Sequence, residues 1–195
     1  MNRPSAATQS ATLLSAIWPA GGLTRNVAIA ILGTLLLTLS AKVQVPFWPV
    51  PMTMQTLVVL VLGAALGARL GAATMLLYLA EGAVGLPVFA GTPEKGLGLA
   101  YMMGPTGGYL AGFVVAAFIV GWLAERGWDR SILRLLVAMT LGHVVILGLG
   151  FAWLSGLIGV EKAWLLGVVP FFAATVLKTG LGALALPAAW KVVKR

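Results

Sequence analysis

Residues 132–158 read ILRLLVAMTLGHVVILGLGFAWLSGLI, an apolar run with Arg134 near its start and His143 in its interior. About 20 such residues carry a helix across the hydrocarbon core of a bilayer, so this stretch spans with length to spare. Runs of the same kind lie at 26–41, 52–68, 70–89, 105–124 and 163–190, with Glu81 and Lys178 as the interior polar interruptions. They are continuously apolar and rich in Leu, Ala and Gly, whereas barrel strands alternate polar and apolar positions. A helix keeps its backbone hydrogen bonds to itself, as lipid demands. The expected fold class is an all-α integral membrane protein, a compact bundle of about six transmembrane helices.

Composition agrees. The chain has 195 residues, 60% of them hydrophobic and 9% charged, with a mean hydropathy of +1.01. That leaves room for six spans and no separate soluble domain. We expect residues 1–24 to form a cytoplasmic or interfacial N-terminal segment, with an interfacial helix around Leu13 to Trp18, and residues 25–195 to form one six-helix substrate-binding domain. The segment MNRPSAATQSATLLSAIWPAGG is too weakly apolar for a signal-peptide core. The formal net charge of +8 needs no nucleic acid to explain it. If the N-terminus is cytoplasmic, Arg3, Arg25, Arg69, Arg126, Arg130, Arg134, Lys191, Lys194 and Arg195 fall inside, and only Lys42, Lys95 and Lys162 fall outside. The positive-inside rule therefore places both termini in the cytoplasm. With no cysteine, thiol nucleophiles and disulfides are excluded.

In this orientation two irregular stretches share the outer face: VQVPFWPVPMTMQ at 43–55, and AGTPEKGLGLAYMMGPTGG at 90–108. Non-helical backbone at membrane depth requires protein or a cavity around it. The prolines restrict the first loop, which suits either a lid of fixed shape or a tight connector with an aromatic anchor. Lys178, in FFAATVLKTG, lies about 20 Å along a helix from Lys191, too deep for a boundary residue. An intramembrane ammonium marks a ligand site by default, the alternatives being an ion pair or snorkelling. Thr175 shares its helix face. Glu81 is the carboxylate of the spans, suited to pair with Lys178 or to meet a ligand. A lone histidine between packed helices is generally a hydrogen-bonded core residue, so His143 is placed outside the site. Gly63, Gly67 and Gly71, and Gly104, Gly108 and Gly112, recur every fourth residue and predict close helix approach. Asn26, Ala30, Thr34 and Thr38 form a weakly polar stripe facing either the bundle or another membrane protein. No Walker A loop, H-E-x-x-H, G-x-S-x-G or carboxylate dyad is present, so no energy source or catalytic engine is encoded.

Together, VPFWPVPMTMQTL, GARLGAATMLLYLAEGAVGLPVF, GPTGGYLAGF and PFFAATVLKTG, in this order from Val43 to Gly182, resemble the BioY family, the biotin-binding S components of energy-coupling factor (ECF) transporters. The resemblance implies high-affinity biotin binding and uptake across the cytoplasmic membrane, with biotin as transported ligand and no cofactor or metal. It also implies a lid in the first outer loop, and as partners a transmembrane coupling subunit and a cytoplasmic ATPase pair. Ala30 and Thr34 are the candidates for the partner interface. Family members commonly carry an acidic residue three positions before the lysine of the last helix, where this chain has Thr175. The expected ligand-binding residues are Lys178 as donor to an oxygen of biotin, Thr175 or Glu81 as acceptor, Tyr101, Phe89, Phe47 and Trp48 as walls or lid, and Gln55 as a further polar contact. The rival readings are a stand-alone small-solute carrier, and an intramembrane enzyme using Glu81, His143 and Lys178 as acid and base.

Overall fold

The computed structural model describes residues 12–19, 21–46 and 48–193. A short helix α1 (Leu13–Ile17), where the interfacial helix was expected, precedes α2 (Leu23–Lys42). A two-residue antiparallel ladder follows, β1 (Gln44–Val45) with β2 (Met52–Thr53), pairing Gln44 with Thr53 and Val45 with Met52. Then come α3 (Gln55–Leu66), α4 (Ala68–Ala83), the small α5 (Gly98–Met102), α6 (Gly107–Ala124), α7 (Ile132–Ile158), α8 (Val160–Gly167) and α9 (Phe172–Val193). Among the described residues, four stretches are long and apolar enough to cross a membrane: α2, α6, α7, and the α8–α9 region. With the shorter α3 and α4, the result is the expected six-membered bundle.

The boundaries differ from the sequence expectation in three places, each with a local cause. Strand pairing was not expected, yet the chain of Pro46, Pro49 and Pro51 cannot be helical and closes on itself as a hairpin. The helix anticipated from Met52 therefore starts only at Gln55, whose amide donates to Thr53 Oγ1 (3.2 Å). The run to Phe89 stops being helical at Ala83, where Gly85 and Pro87 follow. The last run is split by Pro170, which lies in a 3₁₀ turn at Val169–Phe171 between α8 and α9.

At 12 residues, α3 is about 18 Å long against a hydrocarbon core of about 30 Å. The returning arm of the hairpin packs against the bundle above it, with Val50 and Thr53 buried. At the other end of α3 a single residue, Gly67, makes the turn into α4 at φ +87°, a conformation that favours glycine. Glu125 Oε1 accepts from the Ala68 amide there (2.9 Å), capping α4.

The center of the bundle is α6, buried over most of its length, while α2, α7 and α9 expose apolar faces. Around it the helices approach at backbone contact. A Cβ on Gly63 would lie 2.7 Å from the Ala117 carbonyl oxygen, and one on Gly112 would lie 2.9 Å from Ile146 Cα. At the end carrying the termini, Trp190 Nε1 donates to the buried Asp129 (2.5 Å), and Arg126 stacks on Trp122. The opposite end carries the hairpin and the 84–106 connection.

Candidate ligand-binding site

At the hairpin end a cavity opens among α3, α6, α7, α9, the hairpin and the 84–106 connection. Lys178 is the charged side chain among the residues lining it and is only 6% exposed. Its position follows from the Pro170 break, which starts α9 so that Lys178 sits about 9 Å from the helix start. The ammonium turns toward the hairpin rather than toward the termini. It donates to Thr53 O (2.6 Å) and to Thr56 Oγ1 (3.2 Å). An ammonium has three N–H donors, and these two bonds leave capacity for a third.

From Thr53 a chain of hydrogen bonds runs to the second loop. Thr53 Oγ1 donates to Gln55 Oε1 (3.2 Å), Gln55 Nε2 donates to Tyr78 Oη (2.7 Å), and Tyr78 Oη donates to Val88 O (2.7 Å). Both ends of the Gln55 amide are thus engaged, so Gln55 fastens the hairpin base to α4 and to the 84–92 backbone.

Aromatic rings form the walls. Phe89 stacks on Tyr101 at 5.1 Å between centroids and meets Tyr78 edge-on at 5.4 Å. The Phe89 ring lies so close over Gly82 that any side chain at Gly82 would occupy the same space. Tyr101 Oη donates to Ala90 O (2.6 Å). Burial raises the Tyr101 phenol above its usual range, which keeps it a donor. Across the cavity, Tyr109 donates to Gly167 O (2.7 Å) and Phe171 completes the wall.

The expected residues divide as follows. Lys178, Thr175, Tyr101, Phe89 and Gln55 line the cavity. Glu81 does not. It accepts from Thr34 Oγ1 (2.9 Å) between α2 and α4, and Lys178 finds its partners elsewhere, so no acid–base set of Glu81, His143 and Lys178 is assembled. Trp48 is 75% exposed at the hairpin tip and is absent from the lining, where Val50 and Pro51 stand instead. Phe47 lies outside the described residues. Ala30 and Thr34 are buried, at 8% and 2% exposure, with Thr34 turned to α4; the exposed face of α2 carries Val27, Ile31, Leu35 and Leu39. His143, expected outside the site, lines the cavity, as do Thr53, Thr56, Tyr109 and Phe171. An aromatic or a histidine inside an apolar run has no sequence mark separating cavity wall from core, so these escaped the sequence reading.

The space between the walls is about 590 Å³ with its mouth counted, yet the enclosed void is only about 50 Å³. On the far side of the hairpin a second, apolar groove of about 690 Å³, its mouth counted likewise, runs between β1, β2 and α9. Thr53 and Lys178 line both. The Lys178–Thr53 pair therefore borders both the interior cavity and the outer groove.

A model of the BioY family matches residues 7–195. The chain is 38% identical over 154 residues to the probable biotin transporter BioY of Pyrococcus horikoshii, covering 79% of this chain and 89% of that protein. It is 37% identical over 152 residues to the biotin transporter BioY of Thermotoga maritima, covering 77% and 87%. Its fold is similar to the crystal structure of the S-component for biotin from an ECF-type ABC transporter, with a TM-score of 0.74 over 88% of this chain and 95% of that one, at 22% identity. The apolar helices and these similarities make the chain a multi-pass membrane protein.

Proposed function

The chain belongs to the BioY family, and from that premise we propose that it is the biotin-capturing subunit of an ECF-type transporter in the cytoplasmic membrane. It is a transporter subunit and not an enzyme. The hairpin end faces outward and the termini face the cytoplasm, in accord with the arginine-rich end. Its source of energy is a coupling subunit and an ATPase pair, since the sequence has no nucleotide-binding loop.

The observation that carries this reading is the Lys178 ammonium, buried among apolar helices and bonded to one peptide carbonyl and one hydroxyl in a cavity walled by stacked rings. Such a charge is costly in lipid unless a ligand or water meets it. Biotin suits the remaining capacity. Its ureido carbonyl accepts from Lys178, Thr175 Oγ1 offers an acceptor to a ureido N–H, and the thioether ring lies against Phe89, Tyr101 and Tyr109. Biotin enters when the hairpin swings away from α9, which parts the Lys178–Thr53 bond that borders both the cavity and the outer groove. The ligand oxygen then takes the remaining N–H of Lys178, and the hairpin closes as a lid.

The test is retention. Protein purified in detergent from biotin-grown cells should carry near-stoichiometric biotin by mass spectrometry, and Lys178→Ala should bind it about 10- to 100-fold more weakly, the scale of a hydrogen bond to a charged group. Recovery of a different vitamin, or unchanged affinity in Lys178→Ala, defeats the proposal.

A further inference from the structure

We infer that His143 is a second hydrogen-bond acceptor of the cavity beside Thr175 and that its Nε2 takes the other ureido N–H of the ligand. This rests on the proposed function and adds to it a second residue that reads the donor side of the ureido ring.

The ring is fixed by its other nitrogen. His143 Nδ1 lies 3.1 Å from Met139 O. A carbonyl oxygen only accepts, so this contact is a hydrogen bond in the tautomer protonated at Nδ1, and in that tautomer Nε2 presents a lone pair. Thr179 Oγ1, 3.0 Å from Nδ1, stands beside the same N–H and further restrains the ring plane. Although His143 is only 2% exposed, its Nε2 is a buried atom with no protein partner. Buried polar atoms are nearly always satisfied, so an orphan acceptor on a cavity wall calls for a donor from a guest.

The neighbouring polar groups cannot do this work as well. The Gln55 amide is engaged at both ends; the hydroxyls of Tyr101, Tyr109 and Thr175 keep lone pairs and can accept, but each also carries a proton of its own, whereas His143 Nε2 is a buried atom of the lining with no protein partner. Lys178, next to Thr179 on α9, lines the same cavity and supplies donors only. A ligand group that accepts at one atom and donates from its neighbours matches this pair: the ureido oxygen meets Lys178 and an adjacent N–H meets His143. A carboxylate, which only accepts, would leave Nε2 unmet.

The chain contains one histidine, so ¹⁵N-histidine labelling of the untagged protein reports on this ring alone. We expect an Nδ1–H tautomer with and without biotin, and an upfield movement of Nε2 on biotin addition. A biotin analogue methylated at the contacted ureido nitrogen should bind without that movement. His143→Phe should weaken biotin binding about tenfold and erase the preference for biotin over the methylated analogue, whereas His143→Gln, whose Oε1 reaches the Nε2 position, should restore both to within about threefold. If the Nε2 resonance does not respond to biotin, or if His143→Phe retains the preference, the inference is wrong. Where His143→Phe does not fold, the resonance of the wild-type protein decides. Wild-type protein that takes up no biotin would instead defeat the proposed function itself, which separates the two failures.

Discussion

The two ends of the bundle are built from the same helices and differ in how α3 and α4 are joined to what surrounds them. At the termini end, α3, α4 and α6 meet through Gly63, Gly71, Ala117 and Gly121 at backbone contact, and no void can open without separating helices. At the hairpin end, the segments are joined by exchangeable hydrogen bonds: Lys178 to Thr53, Gln55 to Tyr78, Tyr78 to Val88. Apolar packing does not drive association of helices in lipid as it does in water, so close van der Waals contact and hydrogen bonds carry the stability. The first kind gives a fixed base. The second gives a part that can open and shut, because each bond it loses can be replaced by one to a ligand or to water.

The largest effect should come from the base. In Gly63→Val the added carbons have only the Ala117 backbone to push against, and we expect a loss of about 3 kcal/mol, the upper end of overpacking costs. Thermal unfolding in detergent measures it. Gly156→Ala is the control, on a part of α7 where a Cβ meets nothing within 4 Å, and it should leave stability unchanged or slightly raised. If both variants melt alike, the division into base and lid has no energetic content.

Tyr78→Phe probes the second kind of contact. It removes the hydroxyl that joins the hairpin base to Val88 while leaving the ring against Phe89. We expect biotin to dissociate about tenfold faster, equivalent to about 1.4 kcal/mol, with a small change in melting temperature. A lowered melting temperature with normal dissociation would assign Tyr78 to the base instead.

The sequence revealed the base and the charged center more fully than it did the site's walls. Apolar run length located the helices because lipid imposes it directly, and Lys178 stood out because an ammonium in such a run demands an explanation. Glycine spacing signalled close approach, although not which glycines touch: Gly63 meets α6, while Gly104 meets only the nearby backbone of Tyr101. Glu81 gave an equally loud signal, but Thr34, a distant residue in sequence, satisfies it away from the cavity. Ala30 and Thr34 marked a special face of α2 without indicating that it turns inward. His143, Tyr109 and Phe171 were silent, because their role depends on which side of a helix faces empty space, and that follows from the Pro170 break and the packing of the hairpin. Two-residue strand pairing is likewise below what periodicity can register.

The smallest effect we predict concerns Lys42, another lysine of the hairpin end, and it tests whether charge alone makes a site. Lys42, at the end of α2, reaches Pro87 O (3.0 Å), Phe89 O (3.1 Å), Thr92 O (3.0 Å) and Thr92 Oγ1 (3.2 Å). Its acceptors outnumber its three N–H groups, so it has no capacity left for a ligand, whereas Lys178 has two partners. Lys42 is also exposed, so water replaces what a substitution removes. Its role is to gather the loop that carries Phe89. Lys42→Met should therefore raise the biotin off-rate only about three- to fivefold, a weak hydrogen-bonding contribution net of water's competition. The change should persist in high salt, because it removes short contacts to neutral carbonyls rather than a screened long-range field. Loss of binding as severe as in Lys178→Ala would mean that Lys42 touches the ligand, and that the cavity extends to the far side of the 86–92 loop.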